Sequence, residues 1–501
     1  MSATPASPSA ATPTTGDAPD YGVLRWLVAG TFIVILNETI MVNAIPRLMV
    51  ELSIDARAAQ WLTSGFMLTM AVVIPVTGWF LQRVTTRQAL ATAMATFCAG
   101  TALAAVAPTF EVLLAGRVVQ AAGTAVMMPL LMTTLMTVVR EQDRGRVMGN
   151  VTLAMSVAPA LGPAVAGGVL AVASWRWMFG LVLPIAAVIT IVGLRKLVDV
   201  GETRRSDIDW TSVLLSLAGF GPLVYGLSQL GGDVSPAWLP WATVAFGVVC
   251  IGLFAQRQRR LVAREDAPLL DLRALTHRTF TLGLLLMSVA FMAMLGSMIL
   301  LPMYLQEVKG LTELQAGLTV MPGGLAMGLL GPTVGRLYDA HGGRPLMIPG
   351  AVGVLLALTS LTQIGTGTSV WLVLAAHVVL MVSLAALFTP VFTLSLGALP
   401  PHLYSHGSSM LGALQQVSAA AGTAVVIAVM AFRTTGLLDD GAAFLEARAG
   451  GMDWGFAVGA ALAVGVLVLA VLMPGRPEGH EGHGDAARTP DADEQPRTVT
   501  T

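Results

Sequence analysis

The chain has 501 residues, of which 55% are hydrophobic and only 11% charged, and its formal net charge is −1. Roughly 25% of a soluble domain's residues are charged, so the composition, with a mean hydropathy of +0.74, excludes an ordinary soluble domain and suggests no nucleic-acid partner. The two cysteines, Cys98 and Cys250, both fall inside apolar runs, which argues against a disulfide framework.

In chain order, residues 1–22 are rich in Ala, Pro, Thr and Ser and lack Lys and Arg. They read as a disordered tail without the basic segment of a signal peptide. Apolar runs follow at 24–45, 58–81, 89–107, 110–139, 146–171, 175–195, 211–230, 237–256, 279–305, 315–335, 346–365, 370–396, 407–433 and 454–474. Crossing the hydrocarbon takes about 20 apolar residues, so the runs predict fourteen transmembrane helices in an all-α integral membrane protein. Residues 475–501 form a second polar, acidic tail, in which His480 and His483 read as solvated; no metal site is expected.

An even number of spans puts both tails on one side, and the excess of Lys and Arg marks the cytoplasmic side. Only Arg47, Arg57, Arg176, Lys309, Arg433 and Arg448 fall in the loops opposite the tails. Apart from Arg117, which lies within a span, every other Lys and Arg is on the tail side, so both termini are expected in the cytoplasm.

A repeat divides the chain. Pro75-Val76-Thr77-Gly78 leads to Arg87, and Pro332-Thr333-Val334-Gly335 leads to Arg344 at the same spacing. If both segments follow the second helix of equivalent units, the organisation is an N-terminal six-helix bundle at 23–200, two additional linker helices at 208–258, and a C-terminal six-helix bundle at 275–474.

The first span holds the residue with most to explain. Glu38 lies within Asn37-Glu38-Thr39, with Asn43 one to two turns on. An ionised residue at mid-bilayer costs roughly 2.5–3.5 kcal/mol by insertion scales. Glu38 is therefore either a proton-carrying acid, its carboxyl pKa raised by desolvation, or a neutral acid hydrogen-bonded for packing. In the fourth span, which also holds Gln120, Arg117 either sets the charge state of Glu38 or ties helix backbones together. Asn37, Asn43 and Gln120 are candidates to line a substrate cavity, as are His377 in the twelfth span and Gln415 and Gln416 in the thirteenth. For His377, Gln415 and Gln416 interhelical packing is the alternative. The fifth span carries Pro159, Gly162, Pro163, Gly167 and Gly168, a pattern that suits a hinge or a tight seam. Asp339, in Gly335-Arg336-Leu337-Tyr338-Asp339-Ala340-His341-Gly342-Gly343-Arg344, reads as an arginine partner, a helix cap or part of a solvated turn. Of the 26 methionines, several in spans 4, 9 and 10 would suit an adaptable apolar pocket; the ordinary reading for most is core or lipid-facing packing.

Together these residues resemble the major facilitator superfamily, in particular its fourteen-span drug:proton antiporters of the EmrB/QacA type, over about residues 24–474. Leu36-Asn37-Glu38-Thr39-Ile40-Met41, Trp61 to Met70, and Leu399 to Ser409 look most like the lincomycin-resistance-type exporters. The resemblance places the span-4 basic motif on Arg117, Gln120 and Gly123, and the antiporter motif on Gly162, Pro163, Gly167 and Gly168. Cytoplasmic gating loops fall on Gly78, Arg83 and Arg87 in the first half and on Gly335, Asp339, Gly342 and Arg344 in the second. The first-half loop departs from the family, with Gln82 at the usual Asp position and Thr85 at the usual Gly. Glu38 stands one residue after the wider group's usual acid, about 100° round the helix.

The resemblance implies the major facilitator fold with two inserted helices, alternating access, and a bacterial plasma-membrane location. It implies efflux of small amphipathic or antibiotic substrates, driven by protons with Glu38 and Arg117 as the coupling pair, and no cofactor beyond the proton gradient. Alternatives are a dedicated exporter of one endogenous metabolite or of one antibiotic for self-resistance, and a transport-inactive membrane receptor or scaffold. No enzyme is expected, because neither a catalytic cluster of His, Asp and Glu nor a phosphate-binding loop is present.

Overall fold

The computed structural model describes residues 21–197, 199, 207–230, 236–264 and 266–475. The two tails, His480 and His483 included, lie outside the described residues except for their inner edges. The described residues contain no β-strand. The helices in order are α1 (Gly22–Glu51), α2 (Ala56–Arg83), α3 (Thr86–Ala105), α4 (Phe110–Val138), α5 (Arg144–Val172), α6 (Arg176–Lys196) and α7 (Trp210–Gln229). They continue with α8 (Leu239–Ala263), α9 (Arg278–Met303), α10 (Glu313–His341), α11 (Arg344–Leu361), α12 (Val370–Gly397), α13 (Tyr404–Asp439) and α14 (Phe444–Leu472). All fourteen are long and apolar enough to cross a membrane.

Several helices outrun the apolar stretches that mark them. The segment Gly335–Arg344, read from sequence as a loop, is mostly helix: α10 continues to His341, and only Gly342 and Gly343 link it to α11. Gly342 takes φ +80°, a left-handed conformation that glycine adopts without steric cost, and its N–H caps Tyr338 O. Hydropathy marks where hydrocarbon is; the backbone bonding of a helix does not stop there.

Helices α1–α6 pack together as one bundle and α9–α14 as another. The bundles meet along two seams, α5 against α10 and α2 against α13. At the first seam both helices are lined by small residues. A Cβ on Gly145 or Gly149 would strike the α10 backbone at Gly335 or Gly331, and the reverse substitutions would strike α5. Such close backbone approach supplies the dispersion contacts that hold helices together where burial from water drives nothing. Helices α7 and α8 pair with each other, and α7 lies across the second seam on both α2 and α13. Phe220 and Val224 of α7 join Ala71 and Ile74 of α2 and Ala413 of α13 in one apolar cluster. Trp61 of α2 stacks on Tyr225 of α7 at 5.5 Å.

The start of α1 and the end of α14 share one face, here called the terminal face. There Tyr21 donates to Asp143 Oδ2 at 2.9 Å beside the start of α5. Gly343 N at the start of α11 donates to Gly475 O at 2.7 Å.

Candidate functional site

Helix α1 presents a run of polar side chains within its bundle. Asn37 is buried, and its amide nitrogen has no hydrogen-bond partner. Thr39 turns its hydroxyl back onto Leu36 O at 2.9 Å, and Asn43, exposed, donates to Thr39 O at 3.0 Å. Glu38 keeps part of its surface open, and Arg117 of α4 is the charged group that reaches it electrostatically. Neither is in an ion pair among the described residues.

Arg117 is 1% exposed and is held by other partners. Its Nη1 donates to Gln120 Oε1 at 2.6 Å, its Nε donates to Leu62 O at 3.4 Å, and its guanidinium lies 4.0 Å over the Phe66 ring. Gln120 in turn donates to Thr101 Oγ1 of α3 at 2.7 Å. A buried guanidinium needs such partners, because an unpaired charge is costly in a low-dielectric interior. The sequence reading of Gln120 as a cavity residue is corrected here. It is fully buried at the α3–α4 contact, where its amide oxygen accepts from Arg117.

A second feature lies across α5. A cavity of about 320 Å³ opens between α5, α9, α10 and α12. Five methionines of α5, α9 and α10 and Met381 of α12 line it, with the stacked rings of Phe291 and Phe388, 4.9 Å apart. Its polar lining is Thr152, Ser156 and His377. Of the methionines in spans 9 and 10, Met294, Met298, Met321 and Met327 line it, and Met287 is packed in the core instead. The span-4 methionines do not: Met127, Met132 and Met136 are packed in the core. The phenylalanines escaped sequence analysis, since nothing local separates a cavity-facing Phe from a lipid-facing one. Of the other polar candidates, His377 lines this cavity. Gln415 and Gln416 are half-buried on α13 outside its lining, the Gln415 amide nitrogen without a partner.

Helix α5 touches both features. Its Gly162 sits against Thr39, next to Glu38, where a Cβ would lie 2.6 Å from Thr39 Oγ1. Its Pro159, Ala160 and Pro163 line the cavity. Gly167 and Gly168, further from the terminal face, have open space around them.

The bundles are latched at the terminal face. Asp339 of α10 accepts from Gly145 N and Arg146 N, each at 2.7 Å, and so caps the start of α5. The cap settles the three readings of Asp339 in favour of a helix cap. On the other seam Gln82 donates to His402 O at 2.8 Å, and Thr77 Oγ1 and Ser409 Oγ are 2.8 Å apart. Gly78 packs under His406 and Leu269 O. Of the remaining motif residues, Arg83 lies over the Trp79 ring, Arg87 N donates to Asp199, and Arg344 donates to Val471 O. Among the described residues, the hydrogen bonds between bundles all fall toward the terminal face, the deepest being Thr152 to Thr389 at 3.0 Å.

Two helical bundles of membrane length, closed at one face and enclosing a cavity between them, define a membrane transporter fold. The chain belongs to the Major Facilitator Superfamily, which it matches over residues 27–423. It is 39% identical over 408 residues to the lincomycin resistance protein LmrB of Listeria innocua, covering 81% of this chain and 86% of that one. It is 32% identical to the putative multidrug resistance protein MdtD of Klebsiella pneumoniae, covering 80% and 84%. Among solved structures, the human organic anion transporter MFSD10 superposes with a TM-score of 0.65 at 15% identity, covering 91% of this chain and 100% of that one. That likeness speaks to the fold.

Proposed function

We propose that the protein is a proton-coupled efflux transporter of drug-like molecules, working by alternating access in a bacterial plasma membrane with its terminal face in the cytoplasm. The observation that carries this reading is the placement of Glu38, an acid within the membrane-spanning α1 and in electrostatic reach of the buried Arg117 of α4, in a chain whose relatives include proteins named for lincomycin and multidrug resistance. The loop charges support the sidedness.

In this reading Glu38 takes a proton from the side opposite the terminal face and releases it inward, while substrate leaves the cavity outward. Arg117 supplies the positive charge that reaches Glu38 once the proton has left. Glu38 is not part of the cavity lining, so proton and substrate need not collide. Helix α5, with Thr39 on one side and the cavity on the other, is the element both can bias. The latches at the terminal face hold one of the two states, and the glycines of the antiporter motif let α5 slide or tilt against its neighbours.

The test is lincomycin movement in proteoliposomes under an imposed pH gradient. Wild type should move the drug against its gradient, and Glu38→Gln should lose the gradient dependence by at least about tenfold, about 1.4 kcal/mol, while eluting as a monodisperse protein. Full coupling in Glu38→Gln would remove the acid from the mechanism.

A further inference from the structure

The cavity itself states what it can hold. None of its lining side chains is an Asp, Glu, Lys or Arg. The nearest acid of the proposed mechanism, Glu38, sits on α1, which contributes nothing to the lining. Two of the three polar groups already have partners. Thr152 Oγ1 pairs with Thr389 Oγ1 at 3.0 Å. His377 Nε2 lies 3.1 Å from Val320 O; a carbonyl only accepts, so this nitrogen carries the hydrogen. In the neutral ring Nδ1 is then a bare acceptor, and no described residue hydrogen-bonds to it. The walls that remain are methionine thioethers and two parallel phenyl rings. Unbranched, polarizable methionines adjust to ligands of differing outline, and the stacked rings offer an aromatic face.

We infer that this cavity, the substrate site of the efflux function proposed above, takes uncharged lipophilic molecules or the apolar portion of larger ones, aromatic groups most tightly and with a hydrogen-bond donor directed at His377, and that it rejects permanent cations. The physical reason is desolvation. A cation entering the cavity gives up its water and meets no counter-charge, whereas a neutral aromatic gives up little and gains contact with sulfur and ring. A volume of about 320 Å³ suits a molecule of two or three rings. In a larger amphipathic drug it would hold the apolar portion.

The experiment measures binding to the full-length protein in lipid nanodiscs with three probes. N-phenyl-1-naphthylamine is uncharged and has two aromatic groups and one N–H. Its N-methyl derivative lacks that donor, and tetraphenylphosphonium is a permanent cation of comparable bulk. The neutral amine should bind at least about tenfold more tightly than the cation, given what an unpaired charge costs in an apolar site. Met298→Glu, which puts a carboxylate in the cavity wall, should reverse that order. His377→Phe should weaken the amine several-fold and leave its N-methyl derivative unchanged. Met327→Trp, which fills the cavity without adding charge, should weaken both neutral probes and provides a second variant if Met298→Glu does not fold. Equal binding of cation and amine to wild type, or indifference of both to Met298→Glu and Met327→Trp, overturns the assignment. Binding is read without transport, so the two proposals fail separately. If lincomycin is driven by the pH gradient but the probes miss the cavity, the ligand class is wrong and efflux stands. If the probes bind as described but nothing is driven, the efflux reading is wrong.

Discussion

The two seams close the same face by different chemistry. On the α5–α10 seam a carboxylate, Asp339, receives two backbone N–H groups at the start of α5, where the helix dipole favours negative charge. On the α2–α13 seam the corresponding position is Gln82, and its contact is one neutral hydrogen bond to His402 O. The weaker contact is reinforced from outside the two bundles. Gln258 of α8, fully buried, accepts from Leu269 N at 2.8 Å and Leu270 N at 3.2 Å. That holds Leu269 O against Gly78. The Gln258 amide also donates to Ser212 Oγ at 2.7 Å. Ser212 donates to Asp209, which Arg257 grips with two hydrogen bonds of 2.7 and 2.8 Å. Where the charged cap is missing, the inserted helices α7 and α8 supply a polar chain that fixes the connecting segment beneath the seam. A latch can thus rest on one strong local contact or on several neutral ones anchored elsewhere.

The largest effect should come from the charged latch. Asp339→Ala removes both caps, a loss of about 1–2 kcal/mol, and should shift the protein toward states open at the terminal face. Spin labels at the exposed positions Lys196 and Pro345, with Cys98 and Cys250 replaced by serine, report that opening as a longer distance population. An unchanged distribution would mean the cap contributes nothing to closure. Gln258→Leu should produce a smaller shift on the other seam. It strands two buried backbone N–H groups, those of Leu269 and Leu270, a loss of about 1–3 kcal/mol, but much of that loss falls on the connecting segment itself rather than on closure. If Gln258→Leu opens the face as far as Asp339→Ala, the two latches are equivalent and the comparison collapses.

Gln82→Asp tests the neutral contact by an unintuitive route. It introduces the residue usual in the family, yet a carboxylate cannot donate to His402 O. The closed state should lose about 0.5–1.5 kcal/mol, the worth of one hydrogen bond, and stabilisation by this change would show that the seam wants charge after all. The smallest effect concerns the anchor. Hydrogen bonds from Arg257 hold the Asp209 carboxyl down at about 2, below the unfolded value of about 3.9. Its stabilisation is therefore complete above roughly pH 4 and lost as pH falls toward 2. The gap in thermal midpoint between wild type and Asp209→Asn should be flat from neutrality to about pH 4.5 and close below it; a gap independent of pH would exclude the ion pair as its source.

Several of these features were legible in advance, and for local reasons. Fourteen runs of bilayer length follow from hydropathy alone, and the Pro-to-Gly-to-Arg repeat located both latch segments. Glu38 and Arg117 announced themselves because charge within an apolar run is expensive wherever it falls. Orientation about the helix axis was not legible. Gln120, a cavity candidate by its polarity within an apolar run, is sealed against Thr101.

What the sequence determined by itself was therefore which segments enter the membrane, where the two halves repeat, and which residues carry charge into hydrocarbon. Each of those is a sum over neighbouring residues, and a chain cannot hide it. Only the tertiary structure decided that Asp339 caps a helix of the other bundle, that α7 bridges the weaker seam, and that four helices from both halves enclose an uncharged cavity on the far side of α5 from Glu38. Those contacts join residues a hundred or more positions apart, as Gly145 and Asp339 are joined. They exist only once backbones come close enough to touch at glycine.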